Sequence, residues 1–288
     1  MGEEIHFVKM EGAGNDYVYV DCFSQFVRNP QALARWVSRR HFGIGSDGLI
    51  LIKPSPRADC FMDIYNADGS RGRTCGNGLR CTARYLWKKS GRSKKEFTIE
   101  TLSGICQTRL SNINRRKSWV ETDMGNVFVR NISVPLNGVS RLLPAGVFPQ
   151  WAYLVDGGNL HCVVKLKCCH EGWTPVQALE QVDLKRTGDF LEHYEGFPSR
   201  VNVELCVDGP SDCNPAGQIF ARVWERGSGE TMACGSGACA IYQAFHKMDG
   251  LTDWCIFMPG GRLHVTQRDS RLWLGGIAAD VFEGNLNF

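Results

Sequence analysis

The feature that most constrains this chain is an internal repeat built around two cysteines. Asp68-Gly69-Ser70 leads into Thr74-Cys75-Gly76-Asn77-Gly78 and an apolar helical stretch; Arg226-Gly227-Ser228 leads into Ala233-Cys234-Gly235-Ser236-Gly237 and a second such stretch. A strand pattern precedes each loop, Phe61 to Tyr65 in one copy and Ile219 to Trp224 in the other. A weaker echo pairs Gly14-Asn15 with Gly158-Asn159, each followed by a strand pattern. Self-similarity on this scale implies two copies of one folding unit. The expected fold is therefore α/β (α+β), with two similar domains related by an approximate dyad. The charged turn Arg115-Arg116-Lys117 marks the expected boundary. One lobe would span 1–117, joined by a C-terminal tail of about 276–288, and the other 118–275. Two such lobes would bring equivalent loops face to face across a cleft.

The remaining periodicities fit that frame. Alternating or β-branched runs read as strands at Tyr17 to Val20, Leu49 to Ile52, Phe97 to Glu100, Trp119 to Thr122, His161 to Leu166, Val201 to Val207 and Leu263 to Thr266. Helical patterns cover Pro30 to Arg39, Gly78 to Lys89, Val176 to Gln181 and Gly237 to Lys247, with Gly91 and Gly250 as stops for the second and fourth. At 288 residues, 43% hydrophobic and 22% charged, the chain has enough apolar material for one or two globular cores. A formal net charge of +3, with its cations scattered, argues against a nucleic-acid footprint. The opening MGEEIHFVKM lacks the apolar core of a secretory signal, and no run approaches the ~18 apolar residues of a membrane span.

Thirteen cysteines are spread through strand and helix patterns and do not frame short loops. A disulfide scaffold is not expected, and a reducing cytoplasm suits such a chain. There is no CxxC pair, and neither Cys75/Cys81 nor Cys234/Cys239 has zinc-finger spacing, so no metal site is expected. Gly43-Ile44-Gly45-Ser46-Asp47-Gly48 satisfies GxGxxG but leaves a helix pattern and enters a strand, the reverse of a dinucleotide site, and reads as a turn.

A Gly-rich turn that opens a helix aims unpaired N–H groups and about half a positive charge at whatever lies in front of it. It binds anions there, and it lowers the pKa of a cysteine placed in it from about 8.5 toward neutrality. A lone cysteine is more often a small buried filler. Two at the same place in a repeated loop favour chemistry.

The blocks MEGAGNDYV, RRHFGIGSDGL, YNADGS…CGNGLRC and ERGSGETMACGSGACA, running in order from Met10 to Ala240, resemble the diaminopimelate epimerase family. The resemblance implies two domains, each a curved mixed sheet around a central helix. It implies interconversion of LL- and meso-2,6-diaminopimelate, in lysine and peptidoglycan synthesis, without pyridoxal phosphate or metal. By position, Cys75 and Cys234 would be the paired base and acid, with His161 assigned to Cys75 and Glu225 to Cys234. Gly76 and Asn77, with Gly235 and Ser236, would cradle the α-carboxylate. Asn15 would lie near the reacting amino group. Asn66, Asn159, Asn202, Glu225 and Arg226 would hold the distal end, where an arginine grips a carboxylate bidentately. A bell-shaped pH profile is expected, since one cysteine must be ionised and the other protonated.

Three departures from the family pattern stand out. Gly48 replaces a glutamine near the amino group, Leu160 replaces the proline of a GNPH block, and Arg71 replaces an acid and adds positive charge near the first loop. The expected partners are a small-molecule substrate and, as a homodimer, a second copy of the chain, with neither nucleic acid nor membrane. Two other readings use the same residues: a pyridoxal-independent racemase of another amino acid, and a non-catalytic amino-acid binder.

Overall fold

The computed structural model describes residues 4–209 and 217–288. The chain forms two compact units, Met1–Asp123 with Gly275–Phe288, and Met124–Leu274. The first contains β1 (Glu4–Gly12), β2 (Asn15–Asp21), α1 (Pro30–Val37), β3 (Gly48–Lys53), β4 (Cys60–Asn66), β5 (Arg71–Gly72), α2 (Gly76–Lys89), β6 (Glu96–Thr101), β7 (Gly104–Ser111) and most of β8 (Lys117–Gly125). The second contains β9 (Phe128–Arg130), α3 (Leu136–Ser140), β10 (Val147–Asp156), β11 (Leu160–Cys168), α4 (Pro175–Glu180), α5 (Leu184–Glu192), β12 (Asn202–Asp208), β13 (Gly217–Glu225), β14 (Gly229–Thr231), α6 (Gly235–Asp249), β15 (Asp253–Met258) and β16 (Gly261–Arg268). The final strand, β17 (Arg271–Asn287), begins in the second unit and finishes in the first.

The expected junction at 117 falls on the first residue of β8. Pairing of β8 with β7, from Thr108↔Thr122 to Ser111↔Trp119, keeps the strand up to Asp123 with the first unit. The tail joins that unit by pairing antiparallel with β1, from Glu4↔Asn287 to Glu11↔Ala279.

The two units repeat one topology. In the first, β1–β2 is antiparallel, β2–β3 parallel, β3–β4 antiparallel, β4–β6 parallel and β6–β7 antiparallel. In the second, β10–β11, β11–β12, β12–β13, β13–β15 and β15–β16 follow the same sequence of senses. Register then fixes equivalent residues. Tyr17 lies beside Gly48 as His161 lies beside Asn202, and two positions on, Ile50 corresponds to Glu204.

Each unit has one helix enclosed by sheet. Eleven residues of α2 are buried, on every face, which requires apolar strands around it. Leu79, Ala83 and Leu86 pack with Met10, Tyr19, Ile50, Met62 and Ile99, and burying each large apolar side chain contributes about 1.5–3 kcal/mol. The same enclosure holds α6, with Ile241, Tyr242 and Phe245 fully buried. This helix ends at Gly250, whose φ of 70° puts it in the left-handed conformation, its N–H donating to His246 O at 2.8 Å.

Arg84 on α2 is also fully buried. Its guanidinium donates to both Asp280 carboxylate oxygens, at 3.1 and 2.9 Å, to Ser118 Oγ at 2.6 Å and to Arg115 O at 2.9 Å. One side chain thus fastens helix, tail strand and the start of β8.

Candidate active site

The two cysteines cap their helices in the same way. Cys75 precedes α2 with φ −148° and ψ 114°; its sulfur accepts from Gly78 N–H at 3.4 Å and its carbonyl from Leu79 N–H at 2.9 Å. Cys234 precedes α6 with φ −120° and ψ 118°, accepting from Gly237 N–H at 3.4 Å and Ala238 N–H at 2.9 Å. In each helix the first two residues, Gly76 and Asn77 or Gly235 and Ser236, present N–H groups that lie too early to find an intrahelical acceptor. Helix ends of this kind attract negative charge.

Around Cys75 the first unit gathers Asn15, Asp47 and Asn77. The thiol donates to Asn15 Oδ1 at 3.4 Å, and Asn77 Nδ2 donates to the same oxygen at 3.4 Å. Asn15 Nδ2 donates to Asp47 Oδ2 at 2.7 Å, which fixes the amide so that its oxygen faces the sulfur. Asp47 also receives Asp16 N–H at 3.1 Å, and burial pushes its carboxyl above the usual range. Sequence reasoning missed Asp47, having read its segment only as the turn that indeed joins α1 to β3; a lone acid in a glycine-rich turn was the available signal. Arg80, buried in α2, donates to Asn77 Oδ1 at 2.5 Å. Asn66 is exposed at the end of β4, its side chain donating to Ser70 Oγ at 3.0 Å within the β4–β5 turn.

Two of the departures take on a physical meaning here. A Cβ at Gly48 would lie 2.2 Å from Tyr65 O and 2.8 Å from the Tyr17 ring, so this backbone has no room for a side chain at that position. The Arg71 guanidinium has a carboxylate partner on β4, buried Asp63 at 2.6 Å, beside Lys53 Nζ at 2.5 Å on the other carboxylate oxygen. Burial raises Asp63, yet the two cations outweigh it and hold the carboxyl below its ordinary range.

Around Cys234 the second unit gathers Glu225, Ser236, His161, Asn202 and Glu204. Ser236 Oγ lies 3.4 Å from the sulfur. Glu225, hydrogen-bonded to Cys234 and receiving Thr231 Oγ1–H at 2.6 Å, is pushed up by burial. The helix-end expectation of a lowered thiol is reversed at Cys234. Only 6% of it is exposed, and burial, then the carboxylates of Glu225 and Glu204, hold it well above the ordinary cysteine value. Desolvation and two nearby negative charges outweigh one helix terminus.

His161 is buried on β11, with Nδ1 2.7 Å from Glu204 Oε1 and Nε2 3.4 Å from Asn202 Nδ2. Asn202 Oδ1 accepts the Arg226 backbone N–H at 2.9 Å, while the exposed Arg226 guanidinium donates to Arg200 O at 3.4 Å. Asn159 is exposed in the β10–β11 turn, its carbonyl accepting Gly157 N–H; Leu160 opens β11 and packs against the core. Glu204 was not anticipated. Its signal was a single charge in the otherwise apolar run Val203 to Val207.

The twelve described cysteines are all free thiols. Most are packing residues as expected, Cys60 and Cys81 being pushed up to about 12 by burial, but Cys169 is exposed. Cys213 lies outside the described residues. Among the described residues no cluster of three or more His, Cys, Asp or Glu side chains suits a metal ion, and no helix is long and apolar enough to cross a membrane.

A family model for diaminopimelate epimerase matches residues 7–129 and 154–277. The chain belongs to the diaminopimelate epimerase family. Diaminopimelate epimerase of Phocaeicola vulgatus is 38% identical over 294 residues, covering 99% of both chains, and that of Acetivibrio thermocellus is 36% identical over 294 residues, covering 98% of this chain and 99% of the relative. Among solved structures, a PhzF-family phenazine biosynthesis protein of Bacillus anthracis superposes with a TM-score of 0.75 at 14% identity, over 99% of this chain and 100% of the other. A hydroxyproline epimerase from Agrobacterium vitis gives 0.60 at 12%, over 98% and 91%. Those two likenesses describe the fold the family shares.

Proposed function

We propose that the chain interconverts LL- and meso-2,6-diaminopimelate, with Cys75 and Cys234 exchanging the α-proton. The observation that carries the reading is the pair of identical cysteine caps, in a chain of this family. Inverting a stereocentre by proton exchange needs removal from one face and delivery to the other, and two cysteines, one thiolate and one thiol, do both. Cys234, held protonated by burial and its carboxylate neighbours, is the resting donor. The carbanion's charge passes into the substrate's own carboxylate, and preorganised N–H donors at Gly76, Asn77, Gly235 and Ser236 stabilise it there. His161 and Glu225 move protons to and from the thiols. Asn15, held by Asp47, meets the amino group, and Asn66, Asn159, Asn202, Glu225 and Arg226 hold the distal amino-acid end.

The reading invokes no cofactor, and it places the enzyme, as a homodimer, in a reducing cytoplasm. Free thiols at every described cysteine suit that compartment.

The test is incubation with LL-diaminopimelate, and with a panel of single L-amino acids, in deuterated water. Deuterium should enter the α-position of diaminopimelate and of no other. Exchange confined to another amino acid would make the chain a racemase of that compound. Cys75→Ala and Cys234→Ala should each lower turnover at least about 10²-fold; unchanged turnover in either removes that cysteine from the mechanism.

A further inference from the structure

We infer that Glu204 is a positioning residue for the reaction, holding the His161 ring with its proton on Nδ1 and its Nε2 unprotonated. The inference rests on the role given to His161 above.

The tautomer follows from a chain of donors. The Arg226 backbone N–H can only donate, so the Asn202 atom 2.9 Å away is its oxygen, as placed. The NH2 of Asn202 therefore turns to His161 Nε2 at 3.4 Å, which must accept. The ring proton belongs on Nδ1, where Glu204 Oε1 receives it at 2.7 Å. When Nε2 takes a proton from a thiol, the S–H bond breaks, the long hydrogen bond from Asn202 is given up and an N–H bond forms. The resulting imidazolium then faces a carboxylate through Nδ1–H, the arrangement that orients the histidine of serine-protease triads. The carboxylates of Asp156 at the end of β10 and Glu225 on β13 also act on the ring, and Cys234 before α6 feels Glu204 and Glu225.

An ordinary packing role does not account for Glu204. The side chains of His161 and Glu204 are 1% and 0% exposed, and Glu204 Oε2 is buried without a hydrogen-bond partner, an expensive state for a carboxylate. The first unit solves the same packing problem with an apolar residue. A Cβ at Gly78 of α2 would lie 2.8 Å from Ile50 Cδ1, and one at Gly237 of α6 would lie 2.6 Å from Glu204 Oε1. Strand register and helix contact thus both equate Ile50 with Glu204, and His161 with Tyr17. The fold takes isoleucine at this site, so the carboxylate serves what the first unit lacks, a histidine to orient.

The repeat supplies the variant for the test. Glu204→Ile copies packing the chain already uses, and Glu204→Gln keeps the acceptor oxygen without the charge. Nitrogen-15 NMR of labelled histidine reads which ring nitrogen of His161 carries the proton. The wild type should show the Nδ1–H form, and Glu204→Ile should lose it, folded but with a melting temperature lowered by the unpaired imidazole nitrogen. Turnover should fall about tenfold to a hundredfold in both variants, as when outer-sphere partners of metal-bound histidines are removed. KM should stay within about threefold. An Nε2–H ring in the wild type, or wild-type turnover in Glu204→Ile, overturns the inference. A purely structural role would lower the melting temperature and leave the turnover of folded enzyme intact. Absence of diaminopimelate exchange in the wild type would sink the proposed function alone, because the NMR experiment reads the ring without any substrate.

Discussion

At the scale of single residues, identical caps sit in different electrostatic surroundings. Cys75 has amides beside it and is half-buried, while Cys234 is nearly closed off and faces two carboxylates. Brief iodoacetamide treatment at neutral pH should therefore modify Cys75 faster than Cys234, whose burial and carboxylate neighbours suppress its thiolate. Peptide mass mapping reads both rates; Cys234 reacting first would contradict the burial. Asp63 gives a prediction for stability. Its carboxyl is depressed in the folded chain, so its contribution is present above the ordinary carboxylate range near pH 4 and is lost as pH falls through the folded value. Asp63→Asn should flatten the acid limb of a stability curve measured by denaturant unfolding at a series of pH values, and an unaltered limb would mean the two cations do not act on it. The cysteines were legible because the loop repeats in sequence. Asp47 and Glu204 were not, because each acts through a partner more than thirty residues away, a spacing only strand pairing reveals.

At the scale of elements, the two enclosed helices announced themselves through a glycine-rich cap followed by apolar residues, and both were read within a turn of their ends. The helices α3 and α5 went unread because each contains a glycine that sequence reasoning takes for a breaker. In the fold those glycines make room. A Cβ at Gly138 would meet the Phe190 ring at 2.6 Å, and one at Gly188 would meet Trp224 at 2.4 Å. The glycines of the two caps differ in the same sense. Gly78→Ala presses on the tip of Ile50, which has rotamers to yield, and gains up to about 1 kcal/mol of helix propensity. Gly237→Ala presses on a carboxylate oxygen fixed by His161 and should cost about 1–3 kcal/mol. Urea titrations of the two variants should separate them in that order; equal midpoints would mean Glu204 is free to move aside.

At the scale of the whole molecule, two units of one topology were readable from the duplication, but their boundary was not, since a charged turn looks like a linker even where a strand begins at its last residue. The first unit depends on the far end of the chain. Asp280→Ala would strand the Arg84 guanidinium in a buried site and should destabilise that unit by about 3–5 kcal/mol, against little change for the second, read by hydrogen exchange resolved to peptides. Uniform loss of protection across both would mean the units do not unfold separately. The pairing of Glu4 with Asn287 also has a meaning for synthesis. A ribosome makes β1 long before its tail partner, so the second unit, continuous in sequence, is complete while the first still shows an unpaired edge. A chain truncated after residue 274 should therefore show a protease-resistant second unit and a sensitive first, and restoring the tail strand closes the edge of β1.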